Sequence, residues 1–128
     1  MAKLKRELGP LEMAVMDFVW DADPREVSVR DVLESSAGRQ HAYTTVMTIL
    51  DRLWRKRYLS RRQVGRAYLY RSRIGREQHV QALIEDVLAA SSDRHSAMLG
   101  FVRGVGEADL EGLRAAIRQV ERERRRDR

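Results

Sequence analysis

A chain of 128 residues carrying 25 Lys and Arg against 19 Asp and Glu, net charge +6, has room for one or two small domains. The positive balance favours an anionic partner, nucleic acid or an acidic membrane surface. There is no cysteine, which excludes disulfides, Cys-based zinc sites and thiol nucleophiles. No run approaches the roughly 18 apolar residues that cross a bilayer. The cationic start MAKLKRELGPLE lacks the apolar stretch of a secretory signal, so a soluble cytoplasmic protein is expected.

Residues 8–21 place Leu8, Leu11, Val15, Phe18 and Val19 at helical spacing, with Pro10 in the first turn, where its missing N–H costs nothing. The helix should end at Asp21-Ala-Asp-Pro24, because the residue before a proline avoids the α region. A second helix starts at Ser28, which with Asp31 resembles a capping box. Its apolar face is Val29, Val32 and Leu33, and Gly38 is the expected stop.

The stretch AYTTVMTILDRLWRKRY, residues 42–58, predicts a third helix that is sharply divided. Val46, Ile49, Leu50, Leu53 and Trp54 fill one arc, with Met47 at its edge. Thr44, Thr45, Thr48, Asp51, Arg52, Arg55 and Lys56 fill the other. Threonine is a poor helix former, so three on a solvated face call for a reason. Next, Val64-Gly65-Arg66-Ala67 separates two alternating segments, and glycine at the first loop position suits a two-residue type II′ hairpin turn. Leu59 on one arm, with Tyr68 and Tyr70 on the other, suggests a short hairpin. Three helices followed by a hairpin is the order of a winged helix-turn-helix.

From Ile74 the chain reads as helical again, with Val80, Leu83, Ile84, Val87 and Leu88 in one stripe and a break and new cap at residues 90–93. Met98, Leu99, Phe101, Val102 and Val105 follow among glycines, then Leu110, Leu113, Ile117 and Val120 at three-four-three spacing. The closing ERERRRDR reads as a frayed, solvated tail. Some fifty residues with three apolar stripes make a poor core alone, so a second copy should cover them. The expected dimerisation residues are Val80, Leu83, Val87, Met98, Phe101, Val102, Leu110, Leu113, Ile117 and Val120. The fold class is therefore mainly α with a small β-hairpin wing: a winged-helix DNA-binding domain over 1–75 and a helical dimerisation domain over 76–128.

Residues 50–76 hold ten Lys or Arg and one acid, Asp51. Arg52, Arg55, Lys56, Arg61, Arg62 and Arg66 are the expected phosphate contacts, which bind by releasing counterions. In a helix-turn-helix the start of the recognition helix faces base edges. Short side chains let it approach, and threonine brings a hydroxyl and a methyl that matches thymine's. Tyr43, Thr44, Thr45 and Thr48 are the expected base-reading residues. The plainer alternative is that Thr44 caps the helix and the others are ordinary surface. Trp20 and Trp54 are expected in the core. His41, His79 and His95 are scattered, without metal-ligand spacing, and no phosphate loop or nucleophile elbow is present, so neither catalysis nor a cofactor is expected.

The chain resembles the penicillinase repressor family of the BlaI/MecI type. Leu8, Glu12, Val15, Met16 and Trp20 match its first-helix pattern. Ala42 to Val46, Thr48, Leu50, Arg52, Leu53 and Lys56 match its third, and Gly65, Arg66, Tyr68 and Tyr70 its wing. The resemblance implies a homodimeric repressor on a TACA/TGTA-type dyad operator, controlling β-lactamase genes and relieved by a membrane sensor-protease. In some members cleavage precedes a Phe-Val pair. Gly100 and Phe101 stand there, with glycine replacing the usual asparagine; the plainer reading is that Phe101 is a core contact. Arg57 replaces the family's helix-ending glycine, and the cysteine cluster of the copper-responsive relatives is missing. A reading from another class keeps the same fold as a protein-interaction module whose cationic face meets an acidic partner.

Overall fold

Gly9, itself in extended backbone, is the N-cap and Pro10 opens α1 (Pro10–Ala22), with the Glu12 side chain accepting the Gly9 N–H at 3.2 Å. The structure, a computed structural model, describes residues 8–128; the cationic residues 1–7 considered above lie outside the described residues. In α2 (Val29–Glu34) the capping box forms in both directions: Ser28 Oγ accepts the Asp31 N–H at 3.1 Å and Asp31 accepts the Ser28 N–H at 2.9 Å. The helix stops at Ser35, ahead of Gly38. Gly38 instead serves close packing, because a Cβ there would collide with the Val32 carbonyl oxygen and lie 2.9 Å from Leu33 Cα.

Helix α3 (Tyr43–Arg55) buries Val46, Ile49, Leu50 and Leu53 against α1 and α2. Strands β1 (Leu59–Val64) and β2 (Ala67–Ser72) pair antiparallel from Leu59↔Ser72 to Val64↔Ala67. Gly65 takes φ 61 while Arg66 stays at negative φ, the sign pattern of a type II′ turn. Val27 bridges Tyr70 through two backbone bonds of 2.9 and 2.8 Å, tying the segment before α2 to the wing. The core gathers Val15, Met16, Val19, Val27, Val32, Val46, Leu50, Leu53, Leu59 and Tyr70. Burying each such aliphatic side chain contributes about 1.5–3 kcal/mol.

The chain divides into two units, one closing at Asp86 and the other Val87–Arg128, and helix α4 (Arg76–Ala90) runs through the division. Its beginning is fastened to the first unit. Trp20 Nε1 donates to the Ile74 carbonyl at 2.8 Å, and buried His79 lies against the Trp20 and Tyr58 rings at 5.5 and 5.3 Å. In the second unit Asp93 caps α5 (Arg94–Gly104) by accepting the Ser96 N–H at 3.1 Å. Helix α6 (Glu107–Arg126) continues through the basic run expected to fray. Glu and Arg are good helix formers, Gln119 pairs with Glu123 at 3.0 Å, and three arginines in the last turn complement the helix dipole. Neither α5 nor α6 buries a residue.

Candidate nucleic-acid interface

The face of α3 opposite the core carries the hydroxyls. Tyr43, Thr44, Thr45 and Thr48 are all exposed while Val46 and Leu50 between and after them are sealed. Ala42, not Thr44, occupies the N-cap, so helix capping does not account for the threonine. Ala42 has no capping side chain, which leaves the first-turn N–H groups open to an anionic acceptor. Thr48 Oγ1 donates to the Thr44 carbonyl at 2.8 Å. Its proton is thereby committed, and a γ-methyl and an oxygen lone pair remain to be presented outward.

The cationic run is less free than its sequence suggests, because acids from distant elements meet it. Lys56 Nζ reaches Glu12 Oε2 at 2.7 Å, with the carboxylate buried beside the core. Burial pushes the Glu12 pKa up, but the Lys56 ammonium and the Gly9 N–H outweigh it and hold the group below its usual value. Arg62 grips Glu26 through two bonds of 2.8 Å, and this holds the Glu26 carboxylate low. Asp51 takes Arg55 at 2.8 Å and Arg61 at 3.0 Å; the Arg55 bond is the main cause of its lowered pKa. Arg71 and Arg76 approach Asp23 and Asp21 at 3.9 and 2.9 Å.

Of the six expected phosphate contacts, Arg52 and Arg66 stand exposed and make no ion pair among the described residues. Arg55 and Arg62 are paired but remain 73% and 62% exposed, and pairs of that kind contribute about 0–1 kcal/mol, so either can turn to another anion. Lys56 is exposed but engaged by Glu12, and Arg61, with its side chain 16% exposed, is engaged by Asp51. Exposed Arg57 and Arg73, absent from the expected set, add to the same basic surface without an ion pair among the described residues. Their place in the Arg-rich run was the available signal. Trp54 departs from expectation too: it is 37% exposed, roofed by the Arg61 guanidinium at 3.5 Å.

The second unit presents the expected dimerisation residues as open apolar surface. Phe101 is 65% exposed, and Val87, Met98, Val102, Ile117 and Val120 are also exposed, as is Val80 on the first-unit part of α4. Leu83, Leu110 and Leu113 are half-buried. Gly100 and Phe101 lie within α5, so the bond between them is helical.

A model of the family described as penicillinase repressor matches residues 8–119. The chain belongs to the penicillinase repressor family. Relatives named Transcriptional regulator BlaI, from Mycobacterium tuberculosis strains CDC 1551 / Oshkosh and ATCC 25618 / H37Rv, are 42% identical over 125 residues, covering 94% of this chain and 89% of theirs. Membership makes this a transcriptional regulator of the BlaI family and not an enzyme. Among solved structures, MepR, a transcription regulator of the Staphylococcus aureus multidrug efflux pump MepA, superposes with TM-score 0.47 at 12% identity, covering 91% of this chain and 80% of its own. FabT of Streptococcus pneumoniae, solved in complex with DNA, does so with TM-score 0.45 at 16% identity, covering 95% and 79%. One departure from the penicillinase repressor pattern has a structural consequence. Arg57, at the family's glycine position, takes φ 69, left-handed backbone that costs a non-glycine residue about 1–2 kcal/mol.

Proposed function

We propose that the protein is a homodimeric repressor that places α3 of each protomer in the major groove of a dyad operator, with the wing on the flanking backbone. The observation that carries this reading is the exposure of Thr44, Thr45 and Thr48 on the outer face of a helix whose inner face is the core. A narrow edge of short side chains fits a groove about 12 Å wide. Beside it, Arg52, Arg66 and the exchangeable Arg55 and Arg62 supply cations for phosphates. The apolar residues left open on α4, α5 and α6 support pairing with a second copy, which sets two α3 helices across a two-fold axis.

Membership of the penicillinase repressor family supports a TACA/TGTA-type dyad, control of β-lactamase and related genes, and derepression through a membrane sensor-protease. Cleavage at Gly100–Phe101 would require α5 to unwind locally, since a protease takes its substrate extended. Selection of bound fragments from genomic DNA with purified protein tests the reading. Enrichment of a dyad motif beside regulated genes is the expected result, and recovery of unrelated fragments in proportion to length overturns it.

A further inference from the structure

Arg61, one of the expected phosphate contacts, is engaged by side chains of both α3 and the wing. The guanidinium carbon lies 3.5 Å from the centroid of Trp54 and 4.0 Å from that of Tyr68, so the planar cation sits between two rings. Its Nη1 also meets Asp51 Oδ1 at 3.0 Å. Only 16% of the side chain is exposed, against 62% for its neighbour Arg62. Asp51 and Trp54 stand one turn apart on α3, Arg61 is on β1 and Tyr68 on β2. One side chain thus joins the candidate recognition helix to both strands of the wing. A two-stranded hairpin alone is marginal in water, so what holds it to the helix decides where its tip can reach.

We propose that Arg61 is a positioning residue, clamped between Trp54, Tyr68 and Asp51, that fixes the angle of the wing to α3 and so sets where the wing arginines meet the operator backbone. The second half of that statement rests on the DNA-binding reading above; the clamp itself does not. Lysine cannot replace arginine here, because an ammonium is a point charge without a planar face to lie between two rings. A phosphate contact would behave in the opposite way, since lysine serves phosphate well.

The test has a DNA-free arm and an operator arm, both on the full-length protein. Hydrogen exchange of wing amides in residues 59–72 is compared between wild type and Arg61→Lys, with Val46 and Leu50 amides as the core reference. Wing exchange at least fivefold faster with unchanged core exchange is expected; unchanged wing exchange overturns the clamp. In the operator arm, affinity for a dyad duplex and its dependence on salt are measured for Arg61→Lys, Arg61→Ala, Trp54→Ala and the Arg61→Lys/Trp54→Ala double variant, with Arg66→Ala as the phosphate comparator. Each single variant should lose about tenfold, the double variant should lose little more, and the salt slope should stay at the wild-type value. Arg61→Lys binding like wild type, or Arg61→Ala lowering the slope as Arg66→Ala does, overturns the positioning role. Should the wild type bind no duplex, the DNA-binding reading falls and the exchange arm still decides the clamp.

Discussion

Replacing Thr48 by alanine separates base reading from general attraction to DNA. A good bidentate contact to a base edge discriminates by about 1–3 kcal/mol. Thr48 cannot make one, because its only proton is held by the Thr44 carbonyl at 2.8 Å. What remains is an acceptor lone pair and a methyl, which places the loss at the low end, about 1 kcal/mol per half-site. A dimer uses the residue twice, so the dyad should lose about 2 kcal/mol, or about 30-fold. Alanine is the better helix former, so Thr48→Ala should not weaken folding, and a scrambled duplex should be bound as before. Anisotropy titrations of dyad and scrambled duplexes at one salt concentration measure both. If Thr48→Ala leaves the ratio of the two affinities at its wild-type value, Thr48 does not read bases.

Other perturbations probe the fold and the pairing. Arg57→Gly relieves the left-handed strain at φ 69 but adds freedom to the unfolded chain, so a gain of about 0–1 kcal/mol is expected in denaturant titration. Gly38→Ala forces a Cβ onto the Val32 carbonyl and should cost about 1–3 kcal/mol in the same assay. The folded-state pKa of Glu12 is lowered, so its contribution to stability is present above the ordinary carboxylate range and is lost as pH falls through the folded value. Glu12→Gln should therefore lower Tm at pH 7 by the equivalent of about 1–2 kcal/mol, with the gap to wild type closing as pH falls below the ordinary carboxylate range. Phe101→Asp puts a charge on the most open apolar side chain of α5 and should shift sedimentation of the free protein to the monomer.

Periodicity made much of the first unit legible. The divided face of residues 42–58 became α3 with Val46, Ile49, Leu50 and Leu53 inside, and Gly65-Arg66 became the hairpin turn. Local rules reach this far because the spacing of apolar residues and the φ demands of a two-residue turn are properties of neighbours in sequence. Pairings between distant residues were not legible. Nothing near Lys56 in sequence announces Glu12, 44 positions away, and nothing near Arg62 announces Glu26. A linear count of ten cations against one acid therefore overstated the charge open to a partner. Trp54 misled for a related reason. A tryptophan at a core-facing angle suggests a core residue, but the Arg61 guanidinium from the wing lies over its ring and 37% of the residue stays exposed. Gly38 stood where a helix stop was expected, and only the approach of α2's backbone shows that space, not helix ending, requires it.

The central claim is that two outward-facing α3 helices read one dyad. The direct measurement is a titration of the full-length protein against a dyad duplex recovered by selection and a scrambled duplex of equal length and composition, followed by sedimentation of the complex. Two protomers per dyad and affinity at least about 10³-fold above the scrambled duplex at physiological salt are expected. Equal affinity for both duplexes, or one protomer per dyad at saturation, contradicts the claim.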